Sequence, residues 1–316
     1  MIHYLSLLKK VFLGSALLFL ASCANKPAAD SPAPDHTVSQ GITTLRQKID
    51  SISYIRKAEI GVAVLGLEDR DTLSINGDKH FTMLSVVKFP QALAVLHQVD
   101  QGKASLSQPI HFSKTDLRQE SYSPLTEERP EGNFDITLEQ SLLYSVGRSD
   151  NNVCDKLFKV FGSPKSVEDY IHQLGFNGIG VGTDYASMHT NGMQANWCTP
   201  KTAVQLLEGF YRGNILKDST RNALWKCMAG SLSPEDRIKG LLPPGTIVAH
   251  KTGTSGTDSN GVTAAFNDIG IVTLPNNKHV AIAVFINNSR ETNAVNARTI
   301  AEITKVVWDY YTSKKY

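Results

Sequence analysis

Cysteine is scarce in this chain, with 4 in 316 residues and no C-x-x-C pair. The nine histidines never fall at metal-ligand spacing. A built-in zinc or redox centre is therefore not expected, and neither is any other cofactor. No single sign of charge dominates either. Thirty-two Lys plus Arg stand against thirty Asp plus Glu, a formal net charge of +2. The basic residues form no stripe, so a nucleic-acid partner is not expected. The 12-residue apolar stretch from Val11 to Ser22 is too short to span a bilayer comfortably. Internal repeats are missing as well. What remains is an ordinary globular composition, 41% hydrophobic and 20% charged, which excludes disorder, collagen and coiled coil. The length allows one large core or two lobes with a cleft between them.

Lys9 and Lys10 precede the apolar stretch and Cys23 follows it. The sequence Leu20-Ala21-Ser22-Cys23 resembles a bacterial lipoprotein box. Residues 1–22 thus read as a lipoprotein signal peptide and Cys23 as the lipidated N-terminus, a plain signal peptide being the alternative. Residues 23–40 hold three prolines and little aliphatic bulk and read as a flexible tether. The expected location is exported and periplasmic, lipid-anchored to a bacterial membrane. Such a compartment permits a disulfide among Cys154, Cys198 and Cys227, although three thiols cannot all pair within one chain; buried free thiols are expected for most of them.

Glu59 to Leu67 and Thr72 to Ile75 read as a hairpin, as do Ala264 to Leu274 and His279 to Asn287 around Pro275-Asn276-Asn277. Thr246 to Lys251 is a further strand. Asn293 to Tyr311 carries Val295, Ile300, Ile303, Val306 and Val307 at helical spacing. Between Ser85 and Ser231 the pattern is mostly helical, with loops at Ser121 to Phe134 and Gly175 to Trp197. The fold class expected is α+β: an antiparallel sheet flanked by helices, built from both termini (41–84 and 231–316), with an inserted all-helical lobe at 85–230. A site would sit between the lobes.

Three short motifs carry chemistry. Ser85-Val86-Val87-Lys88 opens an apolar helical stretch, and the i, i+3 spacing puts hydroxyl and amine on one face. A lysine of depressed pKa could there take the serine proton. S-x-x-K alone is weak, because it is expected roughly once by chance at this length. Ser149-Asp150-Asn151 lies 64 residues later and Lys251-Thr252-Gly253 a further 102, each tripeptide expected well under about 0.1 times by chance. As bland features they are an N-cap cluster and a strand-end turn. All three in this order are hard to assign to chance.

The trio is the signature of class A β-lactamases and penicillin-binding proteins, and from about residue 45 onward the chain resembles a class A serine β-lactamase. Three stretches resemble the extended-spectrum branch of Bacteroides-type organisms: Leu96-His97-Gln98-Val99-Asp100-Gln101-Gly102-Lys103, Ser149-Asp150-Asn151-Asn152-Val153-Cys154-Asp155 and His250-Lys251-Thr252-Gly253-Thr254-Ser255-Gly256. The resemblance implies Ser85 as nucleophile, Lys88 as its proton acceptor or relay, and Ser149 as proton donor to the leaving nitrogen. It implies that Asn151 binds the substrate side-chain amide, and that Lys251, Thr252, Gly253 and Thr254 form the strand that holds the substrate carboxylate. The backbone N–H groups of Ser85 and Thr254 would form the oxyanion hole, and Asp150 would support its loop. The implied partners are a β-lactam small molecule, peptidoglycan peptides as an alternative, and a membrane reached through the N-terminal lipid, with the protein acting as a monomer.

One departure bears on turnover. Hydrolysis of an acyl-enzyme needs a base that activates water, which the family supplies as a glutamate on the loop before K-T-G. The loop from Gly175 to Trp197 contains one acidic residue, Asp184, and no glutamate. Aligning Met188, His189 and Asn196-Trp197 with the related branch puts Tyr185 at the glutamate position, and a phenol of pKa near ~10 is a poor base at neutral pH. Three outcomes stay open. Asp184 or His189 serves as base and the protein is a β-lactamase. Alternatively, the protein stays acylated as a β-lactam or cell-wall binding lipoprotein. In the third, it acts as a penicillin-binding D-alanyl peptidase that uses Lys88 in both half-reactions.

Overall fold

The computed structural model describes residues 40–314; the signal segment, Cys23 and the tether up to residue 39 lie outside the described residues. Helix α1 (Gln40–Tyr54) leads into strands β1 (Glu59–Gly66), β2 (Thr72–Ile75) and β3 (Phe81–Thr82). A 3₁₀ turn, Leu84–Val87, runs directly into α2 (Lys88–Asp100). Next come β4 (Pro109–Phe112), α3 (Pro124–Glu128), β5 (Phe134–Thr137), α4 (Leu138–Leu142), a π turn at Leu143–Gly147, α5 (Asn151–Phe161) and α6 (Pro164–Gln173). Strand β6 (Ile179–Val181), α7 (Met188–Asn191), β7 (Asn196–Cys198), α8 (Pro200–Tyr211) and α9 (Asp218–Ala229) follow. The chain returns through β8 (Val248–Thr254), β9 (Thr263–Thr273) and β10 (His279–Ser289) to α10 (Asn293–Ser313).

The main sheet has the order β2-β1-β10-β9-β8 and is antiparallel throughout. Both expected hairpins form, and the two chain ends meet where Val62 pairs with Val284. Strands β1 and β10 read as continuous apolar runs because helices cover both faces. Ile60, Val62, Val64, Val280, Ile282, Val284 and Ile286 turn toward one layer with Ile300, Ile303 and Val307 of α10 and Leu45 and Ile49 of α1. Burying each such side chain contributes about 1.5–3 kcal/mol, so a charged substitution at Ile303 would weaken the packing of the closing helix. The alternate residues Ala63, Ala281, Ala283 and Phe285 face the helical segment. Gly61 and the three alanines are small there because that layer lies close: a Cβ on Gly61 would stand 2.3 Å from the Phe81 ring and 2.8 Å from Pro200.

The expected α+β architecture, with a sheet drawn from both ends of the described chain, is present. Three details differ from the expectation. The inserted segment is mainly but not wholly helical: β4 pairs with β5, and β7 lies between β3 and β6. These short pairs carry too few alternating residues to be read from pattern. Gln40, expected in the tether, begins α1, whose Ile42, Leu45 and Ile49 are buried. Strand β8 runs to Thr254, because pairing with β9 continues to Thr254↔Phe266, so Lys251-Thr252-Gly253 lies inside a strand rather than at its end. Cys154, Cys198 and Cys227 are buried free thiols.

Candidate active site

The 3₁₀ turn carries Ser85 on a tight approach to β8. Leu84, just before the nucleophile, has φ +48°, a left-handed conformation that costs roughly 1–2 kcal/mol for a residue with a Cβ. The turn can sit so close because the third K-T-G residue is glycine: a Cβ on Gly253 would lie 2.3 Å from the Met83 carbonyl oxygen. Gly253 thus admits the turn that bears Ser85. Pro90 falls in the first turn of α2, where its missing N–H is not required.

Lys88 is fully buried and gathers the first two motifs. Its Nζ donates to Ser85 Oγ at 3.0 Å, to the Ser149 carbonyl at 2.8 Å and to Asn151 Oδ1 at 2.6 Å, with Ser149 Oγ at 3.5 Å. Burial pulls its pKa down to about 8, against the opposing pull of Asp150 and Asp155. Ser149, also left-handed at φ +59°, receives a hydrogen bond at 2.9 Å from Lys251 Nζ, which joins the third motif to the others. Burial, and then the neighbouring Lys88, hold the Lys251 pKa well below its ordinary value. Asn151 therefore engages Lys88 through its Oδ1, on the cleft wall where it was expected to meet substrate.

Asp150 supports the loop as expected. It N-caps α5 through Val153 N at 2.9 Å and accepts from Ser123 Oγ and Leu125 N, each at 2.8 Å. Beneath it, Gln91 of α2 and Cys154 of α5 bond reciprocally, amide to carbonyl at 2.9 Å and thiol to Gln91 Oε1 at 3.2 Å. The two helices that carry Lys88 and Asn151 are thereby tied together.

The loop between β6 and β7 leaves and returns through paired strands, and Met83 N bonds the Asn196 carbonyl at 2.9 Å. Its base is thus fixed to the segment leading into Ser85. Asp155 of α5 accepts from Tyr185 N at 2.8 Å and Ala186 N at 2.9 Å, and Arg118 donates to it at 2.5 Å. Burial raises the Asp155 pKa to about 6. This mounting aims Tyr185 inward, with its hydroxyl 3.0 Å from Ser85 Oγ and its ring 4.4 Å from Lys88 Nζ. Burial raises the phenol pKa well above 10, so Tyr185 is a neutral hydrogen-bonding group at physiological pH.

The other bases suggested by the sequence are not gathered at Ser85. Asp184 Oδ1 accepts from Ser187 N at 2.7 Å within its own loop, and His189 is exposed; neither lines the cleft. Of the loop side chains considered, Tyr185 is the one that meets Ser85 Oγ.

The cleft measures ≈ 690 Å³ and is lined by Ser85, Ser149, Asn151, Tyr185, Thr252 and Thr254 among others. Ser255 N bonds Ala265 O at 2.8 Å. The alternation of an edge strand therefore turns the Thr254 N–H away from β9, as an oxyanion donor beside Ser85 requires. Thr252 Oγ1 bonds Ser233 Oγ at 3.1 Å. Arg237 was missed in the sequence. It comes from the connection after α9, is buried, donates to Thr254 Oγ1 at 2.7 Å and stacks 3.7 Å from the centre of the Phe266 ring. No local spacing signals it, because its partners are 16 to 30 residues away. Tyr122 and Leu232, 60% and 74% exposed, form an apolar rim.

A model of the β-lactamase enzyme family matches residues 44–311. β-Lactamase VEB-1 of Pseudomonas aeruginosa is 41% identical over 85% of this chain and 91% of its own length. A β-lactamase of Bacteroides uniformis is 35% identical over 86% and 92%. The crystal structure of TLA-1 extended-spectrum β-lactamase superposes with a TM-score of 0.85 at 43% identity, covering 87% of this chain and all of that one. With the serine, the buried lysine and the K-T-G strand assembled in one cleft, and with similarity running along nearly the whole described chain, the protein belongs to the β-lactamase enzyme family, in its class A branch.

Proposed function

We propose that this protein hydrolyses β-lactam antibiotics through an acyl-enzyme on Ser85 that forms readily and breaks down slowly, and that it confers antibiotic resistance to the extent that its turnover allows. The observation that carries acylation is the buried Lys88 amine 3.0 Å from Ser85 Oγ. With a pKa of about 8, about a tenth of it is neutral at pH 7. Neutral Lys88 takes the Ser85 proton as Oγ attacks the lactam carbonyl carbon. The oxyanion forms against the N–H groups of Ser85 and Thr254. As the C–N bond breaks, the Ser149 hydroxyl gives its proton to the departing nitrogen and is reprotonated from the lysines beside it. Lys251, Thr252 and Arg237 suit the substrate carboxylate, and the open rim leaves room for the acyl side chain.

The second half-reaction needs a base for water. Tyr185 occupies that position, and its neutral phenol cannot take a proton, so Lys88 is the base left for deacylation. Positioned general-base assistance is worth about 10²–10⁴ in rate; acyl-enzyme should therefore accumulate. Export with lipid attachment at Cys23, a periplasmic location and a monomeric state belong to the same proposal and rest on the N-terminal sequence and the family.

Time-resolved intact-mass measurement after mixing with benzylpenicillin tests the reading. A near-stoichiometric adduct that maps to Ser85 and decays slowly is expected. The absence of both adduct and hydrolysis with every β-lactam tried would overturn it. Peptidoglycan D-alanyl peptides are the second acyl donor for the same assay, and membrane fractionation of Cys23→Ala tests the anchor.

A further inference from the structure

Asp268 of β9 is fully buried behind the cleft wall, and none of the steps above uses it. Its carboxylate lies between the two segments that carry the recognition cations. Both of its oxygens stand 3.0 Å from Nδ1 of His250, the residue before Lys251, and Oδ2 accepts at 3.2 Å from the backbone N of Ile238, the residue after Arg237. Arg237 in turn donates to the carbonyl of Asn267, the residue before Asp268, at 2.7 Å. His250 is also buried, and its Nε2 has no hydrogen-bond partner among the described residues. The Asp268 carboxylate thus lies beneath the buried Lys251 and Arg237 and anchors the segment of each. The other carboxylate near Arg237, Asp236, is 3.7 Å from Nε and 54% exposed, where water screens it. Asp150 and Asp155 serve the opposite side, at α5.

We propose that Asp268, held by His250, is a positioning residue: it supplies the buried charge and the backbone anchor that keep Lys251 and Arg237 cationic and aimed at the substrate carboxylate. This rests on the reading that a carboxylate-bearing β-lactam acylates Ser85. Asp268 touches no substrate and acts through the two cations, so its loss should weaken recognition of an anionic substrate selectively.

The experiment compares acylation rate constants for benzylpenicillin and its uncharged methyl ester, read by intact mass. The proteins are the parent, Asp268→Asn, Asp268→Ser and His250→Asn, each checked for folding by near-ultraviolet circular dichroism. The parent should prefer the acid. In either neutral Asp268 variant the acid-to-ester ratio should fall about tenfold, the difference between charge-assisted and neutral hydrogen bonds, while the ester rate stays within about twofold. His250→Asn, whose amide N replaces Nδ1 and leaves the carboxylate charged, should keep the ratio. A folded Asp268 variant with the parental ratio would overturn the proposal, as would acid and ester rates that fall together or a ratio lost in His250→Asn. A parent acylated by neither compound would instead overturn the β-lactam reading itself.

Discussion

The two walls of the cleft are built by different means. On one side β8 is a strand paired to β9 along its whole length, with Lys251 and Thr252 locked by the ladder and Gly253 pressed against the Ser85 turn. On the other, the β6–β7 loop has no ladder between its ends. Tyr185 is held there by two backbone N–H bonds to one carboxylate, Asp155. The acylating groups are thus over-determined by burial and pairing, and the position facing the acyl-enzyme hangs on a few polar contacts. The half-reaction that tolerates no displacement is built on regular structure. Tyr185 is carried on a loop, where one side chain can change without disturbing the sheet.

The strongest way to break this contrast is to remove the nucleophile. Ser85→Ala should abolish adduct formation and lower kcat/KM for β-lactams by about 10⁴ or more, as followed by mass spectrometry and lactam absorbance; residual acylation would place the nucleophile elsewhere. Restoring a carboxylate to the loop wall comes next. Tyr185→Glu should raise deacylation by about 10²–10⁴ with acylation little changed, so the steady-state acyl-enzyme fraction should drop. An unchanged fraction would mean that the phenol does not limit turnover.

The pH profile sharpens the strand side of the comparison. Folding lowers the Lys88 pKa to about 8, so the neutral base grows as pH rises. Acylation should climb about tenfold per pH unit below that value and level off above it. The sign for stability is the same. Between pH 8 and the unfolded pKa near ~10.4 the unfolded chain binds the extra proton, so this group's contribution to stability increases with pH across that window. A flat acylation profile from pH 6 to 9 would remove Lys88 from the role of base.

Two smaller effects probe the loop. Asp155→Asn leaves one acceptor oxygen for two N–H groups and removes the partner of Arg118. It should loosen the Tyr185 mount and change deacylation by up to about 10–100-fold, since a hydrogen bond to a charged group is worth about 1.5–3 kcal/mol; temperature factors and hydrogen exchange at residues 184–187 would report the loosening. Asp184→Asn, whose amide oxygen can still accept from Ser187 N, should leave turnover within about twofold. A larger loss would make Asp184 the base after all.

Much of this was legible in order along the chain. The β1–β2 and β9–β10 hairpins were plain because buried strands read as apolar, β-branched runs, and α10 because its apolar residues keep the helical period. The short strands β3, β6 and β7 were not, since two or three residues show no alternation. Their pairing joins residues far apart in the chain, with Cys198 opposite Phe81 on one side and Ile179 on the other. Within the site, the three motifs identified Ser85, Lys88, Ser149 and Lys251, because local spacing carries the chemistry of each.

The amino-acid sequence by itself determined the chemical inventory: a serine three residues before a lysine, an S-D-N turn, a K-T-G stretch, and a loop without glutamate. Only the tertiary structure decided how these groups titrate and which of them meet. Lys88 has its pKa lowered to about 8 because it is enclosed, Tyr185 turns its hydroxyl onto Ser85 Oγ, and Arg237 and Asp268 join the site from segments with no motif. Proton affinity and charge pairing depend on what lies within a few ångströms in space, and spacing along the chain specifies that only for neighbours on one element.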